Sequence, residues 1–298
     1  MNNTQEVILD GVSFQLKEKH DFEWLRSIGN VFCVFDEQDS GNICFGVEKD
    51  GIKWFVKYAG AKTVAFSGNP EEAVARLKQS VPIYNELRHP YVVRLIDHFQ
   101  VFDGYALVFE WFDGECLHAH WAFPPPQKYT HPDSPFYRFK QLTIELRLAS
   151  LTCIFEFHVS IEKKNYVAID FYDGSILYDF EKNRTMICDI DFYRKKPYVN
   201  TMGRLWGSSR FMSPEEFEMG AAIDERTNVY NMGAIAFGLI GGELDRPFNK
   251  WDGSMELYKI ALKAVEKDKK DRYATVEAFF TAWENEVKKR LNNPISFE

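Results

Sequence analysis

Lys57 closes the run IKWFVK at positions 52–57, an ammonium set among apolar residues of a strand-like segment. That setting separates it from an ordinary exposed strand lysine. Asp170 ends the run YVAID, Asp189 ends MICD, and Asp191 follows two residues later. Carboxylates at this separation, flanking a short hairpin pattern, suit a shared metal and substrate site. One can hold a divalent cation while another accepts the proton of a hydroxyl. A lysine, a metal-holding carboxylate and a group that orients a nucleophile are the parts phosphoryl transfer needs. The bland alternative for the aspartates is a pair of turn residues, and the apolar strands around them weigh against it. His118, His120 and His131 surround a Pro-rich stretch and read as polar loop residues rather than zinc ligands.

The elements that must position these groups fall into two patterns. The first third reads as strands at 31–35, 42–49 and 52–58, with Asp50-Gly51 as a two-residue hairpin turn. Asn69-Pro70-Glu71-Glu72 starts a helix expected to run to Leu87, with Pro82 as its break point. Two further strands are expected at 92–99 and 105–111. After the Pro-rich stretch, residues 136–160 carry helical spacing, and 166–191 a hairpin pattern. From Pro214 onward helices dominate, at 228–240, 255–264 and 275–291. The predicted organisation is an N-terminal hairpin extension (1–20), a small sheet-rich lobe (21–112) and a larger helical lobe (113–298).

Three motifs in the second half carry a family resemblance. GSSRFMSPE (207–215) is similar to the G-T-x-x-Y-M-A-P-E that ends a protein kinase activation segment. DERTNVYNMG (224–233) resembles the opening of the central helix of that family's larger lobe. KKDRYAT (269–275) is similar to the motif whose arginine pairs with the A-P-E glutamate, which makes Glu215 and Arg272 that pair. The chain thus resembles the protein kinase-like superfamily from about Phe22 to Leu291, in a divergent bacterial-type form. The resemblance implies an α+β, two-lobed protein kinase-like fold with a small antiparallel-sheet N-lobe and a larger helical C-lobe. It also implies ATP and Mg²⁺ as cofactors. Lys57 matches the lysine of V-A-I-K, Asp170 the catalytic-loop aspartate, and Asp189 the Mg²⁺-binding aspartate of D-F-G. Asp191 becomes a second carboxylate ligand and Ser175 the neutral ligand that replaces asparagine. Gly41 matches the last glycine of the phosphate-covering loop. Backbone groups of Glu110 and Phe112 would face adenine, behind Phe109 as gatekeeper.

Departures from the family pattern are many. Ala168 and Ile169 stand where the family has His and Arg, so a phosphorylated activation segment lacks its usual partner. Tyr198, Thr201, Ser208 and Ser209 are nonetheless chemically phosphorylatable. Tyr172 replaces a phosphate-contacting lysine and Asn228 an aspartate. The helix position that should pair with Lys57 falls near Ser80, with Gln79 as a neutral substitute. Residues 36–41 (DEQDSG) make an acidic, glycine-poor phosphate loop, which opposes a triphosphate unless its carboxylates point away.

The expected function is a divergent phosphotransferase moving the ATP γ-phosphate to a Ser/Thr hydroxyl of a protein. The alternative is a weak or inactive pseudokinase serving as a binding or scaffold module. A small-molecule kinase fits less well, because enzymes with a P-G-N-I-L loop lack the 207–215 segment. Composition agrees with either. With 36 Lys+Arg against 44 Asp+Glu, the chain carries a net charge of −8, which argues against general nucleic-acid binding. Five cysteines without a C-x-x-C pair suggest reduced core thiols. Neither a signal peptide nor a membrane span is expected, so the location is read as cytoplasmic. The partners expected are ATP and an unknown protein.

Overall fold

Two Asp-Gly turns organise the beginning of the chain. Asp10-Gly11 joins β1 (Gln5–Leu9) to β2 (Val12–Leu16), and Asp50-Gly51 joins β4 (Asn42–Lys49) to β5 (Ile52–Ala59). All four turn residues have positive φ, from 48° to 88°, the backbone that matches the right-handed twist of paired strands. With β3 (Asn30–Phe35), β6 (Leu95–Val101) and β7 (Gly104–Glu110), β4 and β5 build an antiparallel sheet in the order β3-β4-β5-β7-β6, while β1 and β2 pair as a separate two-stranded sheet. The computed structural model describes residues 4–292, so residues 1–3 of the expected extension and 293–298 of the larger lobe lie outside the described residues. It is a mixed α+β structure of small antiparallel sheets followed by a helical C-terminal region.

The chain divides into two compact units. One comprises the residues up to Arg88 together with Val93–Asp113; the other comprises His89–Val92 and the residues from Gly114 on.

In the first unit one face of the five-stranded sheet presents Ile43, Phe45, Val47, Val56, Tyr58, Ala106 and Val108. These pack with Phe14, Leu16, Phe22 and Leu25, so the N-terminal hairpin is an integral part of this core. The opposite face carries α1 (Pro70–Glu86), whose Tyr84 ring meets Phe109 edge-on at 4.8 Å. Asn69 caps α1 by accepting a hydrogen bond from the Glu71 amide. The helix continues through Pro82 instead of breaking there. Pro82 is exposed, so water can satisfy the carbonyl its missing N–H leaves open.

The second unit is built around α5 (Glu225–Ile240), which is buried on nearly all sides from Thr227 to Ile240. A helix apolar all round belongs in the middle of a core. Against it pack α4 (Ile144–Lys163), α6 (Met255–Ala264) and α7 (Val276–Asn292). Phe155 of α4 meets Phe279 and Trp283 of α7 edge-on at 5.0 and 5.3 Å. The helix expected over 136–160 is two, α3 (Pro135–Lys140) and α4, after the short α2 (Gln127–Thr130). The break at 141–143 has a tertiary cause: buried Arg147 donates to the Leu142 carbonyl and to Asp252, turning the chain there. A three-stranded sheet, β11-β10-β8, joins β8 (Glu115–Cys116), β10 (Ile176–Asp179) and β11 (Arg184–Ile187). Two-residue pairs complete the unit: β9 (Tyr166–Val167) with β12 (Arg194–Lys195), and β13 (Tyr198–Val199) with β14 (Ala222–Ile223). No described helix is long and apolar enough to cross a membrane.

Candidate functional site

Lys57 lies in register with Cys44 of β4 and Leu107 of β7, on the sheet face that carries α1, and is 9% exposed. Strand alternation fixes that direction, since Val56 and Tyr58 point into the opposite core. The buried face of α1 holds Ala73, Val74, Leu77, Ser80, Val81, Ile83 and Tyr84. Its carboxylates Glu71, Glu72 and Glu86 are all exposed, and so is Gln79. The neutral substitute expected at Gln79 is therefore on the wrong side of the helix. Ser80 is buried, and its hydroxyl donates to the Leu77 carbonyl at 2.8 Å.

The acidic loop at 36–41 is arranged to disperse its charge. Asp36 accepts a hydrogen bond from the Gln15 amide of β2 at 2.9 Å, while Glu37 and Asp39 are exposed. Arg76 of α1 donates to the Ser40 carbonyl at 2.8 Å and lies over the Phe66 ring. Gly41 has φ +82°, and a Cβ there would come within 2.7 Å of Phe66 and 3.0 Å of Ala73. Only glycine fits that close, left-handed turn. At the end of β7 the Glu110 amide donates to the Arg94 carbonyl, while Phe112 is half-buried.

In the second unit the predicted site residue Asp170 lies on a loop, not a strand, and α5 supplies that loop's fixings. Asn228 accepts from the Ala168 amide at 2.8 Å and donates to the Tyr166 carbonyl at 3.2 Å. Asn231 donates to the carbonyls of Phe171 and Phe211 at 2.9 and 3.3 Å. Asn228, read as standing where the resembled family has an aspartate, is thus an amide that both accepts and donates. Between these anchors Asp170 adopts φ +64°, and Asp189, after β11, adopts φ +56°. Six other described non-glycine residues share positive φ, Asp10 and Asp50 of the hairpin turns among them, and aspartate and asparagine tolerate this backbone better than most residues.

Burial raises the Tyr172 phenol above its ordinary range, and the charges of both Asp170 and Asp189 raise it further. The same causes act on buried Tyr193, in the same order. Both carboxylates thus bear on the same two phenols. Beneath them, His158 accepts from the Tyr193 hydroxyl at 2.9 Å while its other nitrogen donates to the Ile154 carbonyl at 2.7 Å. That tautomer follows from the carbonyl partner. Burial depresses the His158 imidazole to about 3, so it remains a neutral brace.

Ser175 is fully buried and faces inward: its hydroxyl donates to the Asp170 carbonyl at 3.5 Å, and its carbonyl accepts from the Cys188 amide. It joins the Asp170 turn to the residue preceding Asp189. Asp189 is exposed and Asp191 half-buried. Among the described residues no three His, Cys, Asp or Glu side chains are grouped to hold a metal unaided. His118 and His120 have ring centroids 5.5 Å apart, and burial lowers the His118 imidazole to about 4.

The motifs singled out in the second half lock together. Arg272 donates two hydrogen bonds to the Glu215 carboxylate, at 2.8 and 3.0 Å, in a buried bidentate pair to which the Thr227 hydroxyl also donates. Burial pushes the neighbouring Glu216 carboxyl up to about 7, although Ser213 donates to it through both amide and hydroxyl.

Sequence reasoning missed the buried charge cluster of Lys128, Asp173, Arg210 and Glu243. Its members come from four separate stretches; Asp173 and Arg210 lie inside recognised motifs, but at positions to which the resemblance gave no role. No protein-family model matches the chain.

Proposed function

We propose that the chain is a divergent protein kinase-like phosphotransferase that moves the γ-phosphate of ATP to a Ser/Thr hydroxyl. The observation that carries this reading is that Asp170 and Asp189 lie on turns joined through Ser175, whose hydroxyl donates to the Asp170 carbonyl and whose carbonyl accepts from the amide of Cys188, the residue before Asp189. The bidentate Glu215–Arg272 pair, between two segments that the resemblance links, supports it independently.

In this reading Asp170 accepts the proton of the acceptor hydroxyl as its oxygen forms a bond to the γ-phosphorus. The bond from that phosphorus to the β–γ bridging oxygen breaks, and ADP leaves. Lys57 supplies a cation to the phosphates. Asp189 and Asp191 suit Mg²⁺, which binds through one or two carboxylates with substrate phosphates completing its shell. Bound Mg²⁺ supplies neutralisation of phosphate charge. The Glu110 amide is already engaged, so this residue would meet an adenine through its carbonyl.

A second reading is favoured by specific features: no carboxylate on the buried face of α1, exposed Glu37 and Asp39, and the inward Ser175. These suit a pseudokinase that acts by binding. Transfer from γ-labelled ATP to a peptide array separates the readings. The kinase reading expects transfer that Asp170→Asn abolishes while ATP affinity is kept. Saturable ATP binding with no transfer from the wild type establishes the second reading instead.

A further inference from the structure

We propose that Arg210 and Asp173 form a built-in lock that holds residues 207–215 on the loop 170–175 without covalent modification. The inference rests on the functional reading only in taking 207–215 as the acceptor-side segment.

Asp173 is 0% exposed, and both of its oxygens are engaged. Arg210 donates to Oδ1 at 2.8 Å and to Oδ2 at 2.9 Å, and Lys128 also donates to Oδ2. Glu243 closes the cluster: its Oε1 accepts from Arg210 at 2.8 Å and from Lys128 at 3.2 Å, and its Oε2 from the Tyr129 hydroxyl. Two cations face two carboxylates, so the group is neutral as a whole. Removing one member leaves a buried charge uncompensated, which is far costlier than losing an exposed pair.

The geometry ties particular segments. Asp173 lies three residues after Asp170, and Arg210 lies between Gly207 and Glu215. The fork-to-carboxylate pairing fixes orientation as well as distance. Arg210 Nε also donates to the Ser208 hydroxyl at 3.1 Å, so one guanidinium orders its own segment and fastens it to the loop. With Ala168 and Ile169 in place of a phosphate-binding arginine, the polarity is inverted. The cation belongs to the segment and the carboxylate to the loop. Neither charge depends on modification at Tyr198, Thr201, Ser208 or Ser209.

Hydrogen exchange read by mass spectrometry tests this on the full chain, treated with phosphatase and shown unmodified by intact mass. Peptides across 200–212 of the unmodified wild type should be protected. In Arg210→Gln they should exchange at least tenfold faster, with α5 and α7 peptides unchanged. Arg210→Lys, which keeps the charge but not the fork, should fall between. Unprotected 200–212 peptides in unmodified wild type overturn the lock, as does wild-type protection in Arg210→Gln or loosening spread equally over α5. Failure of ATP binding sinks the functional reading and leaves this exchange result standing.

Discussion

The two units position their chemistry by opposite means. In the first, Lys57 owes its direction to strand register: Cys44, Lys57 and Leu107 align because three backbones are hydrogen-bonded in sequence. In the second, Asp170 and Asp189 sit on irregular backbone fixed by buried side-chain amides and ion pairs. A strand residue is placed by many redundant bonds. A loop residue depends on a few, each hard to replace because its partner would be left unsatisfied in the core. Substitutions in the second unit's polar anchors should therefore be severe, and those in the first unit's loop milder and local.

The largest effect is expected at the buried pair. Arg272→Met leaves the Glu215 carboxylate uncompensated in the core and should cost about 3–5 kcal/mol in denaturant unfolding. Asn228→Ala removes both fixings of the Ala168 end of the loop and should cost about 2–4 kcal/mol, loosening exchange at 166–171 first.

Glu216 adds a pH test. Its carboxyl titrates near 7 when folded but near 4.5 in its ordinary state, so between these values the folded chain binds the extra proton. Raising the pH through that window therefore costs stability. Glu216→Gln keeps an acceptor for Ser213 without the titration. It should match the wild type near pH 4 and exceed it above pH 7 by about 2–3 kcal/mol. His158 acts in the opposite sense: its stabilising neutrality is complete above 6.5 and is lost as the pH falls toward 3.

The smallest effect is expected in the first unit, where Gly41→Ala should cost about 1–2 kcal/mol. It forces a Cβ into left-handed backbone against Phe66, whose ring can shift. An equal or greater loss at Gly41 than at Asn228 would erase the contrast between the units.

The same contrast explains what the sequence made legible. Strand alternation and an Asp-Gly turn located β4 and β5 to within a residue, and helical spacing located α5 over 228–240. Glu215 and Arg272 were paired through the resemblance of 207–215 and 269–275 to two segments that the family links. Pairings among irregular segments left no periodic trace. The cluster at Asp173 draws on positions 128, 173, 210 and 243, and no local rule joins them. Nor could composition show that Asp36 is taken up by the Gln15 amide, or that Ser175 turns inward. Side-chain direction in a loop is a tertiary property.

The most direct test of the central claim is calorimetric titration of the purified chain with ATP, with and without Mg²⁺, alongside Lys57→Ala and Asp189→Asn. Saturable binding that needs Mg²⁺ and is weakened at least tenfold by each substitution is the expected result. No heat at millimolar ATP, or binding indifferent to Mg²⁺ and to both residues, would contradict the assignment of a nucleotide-binding phosphotransferase.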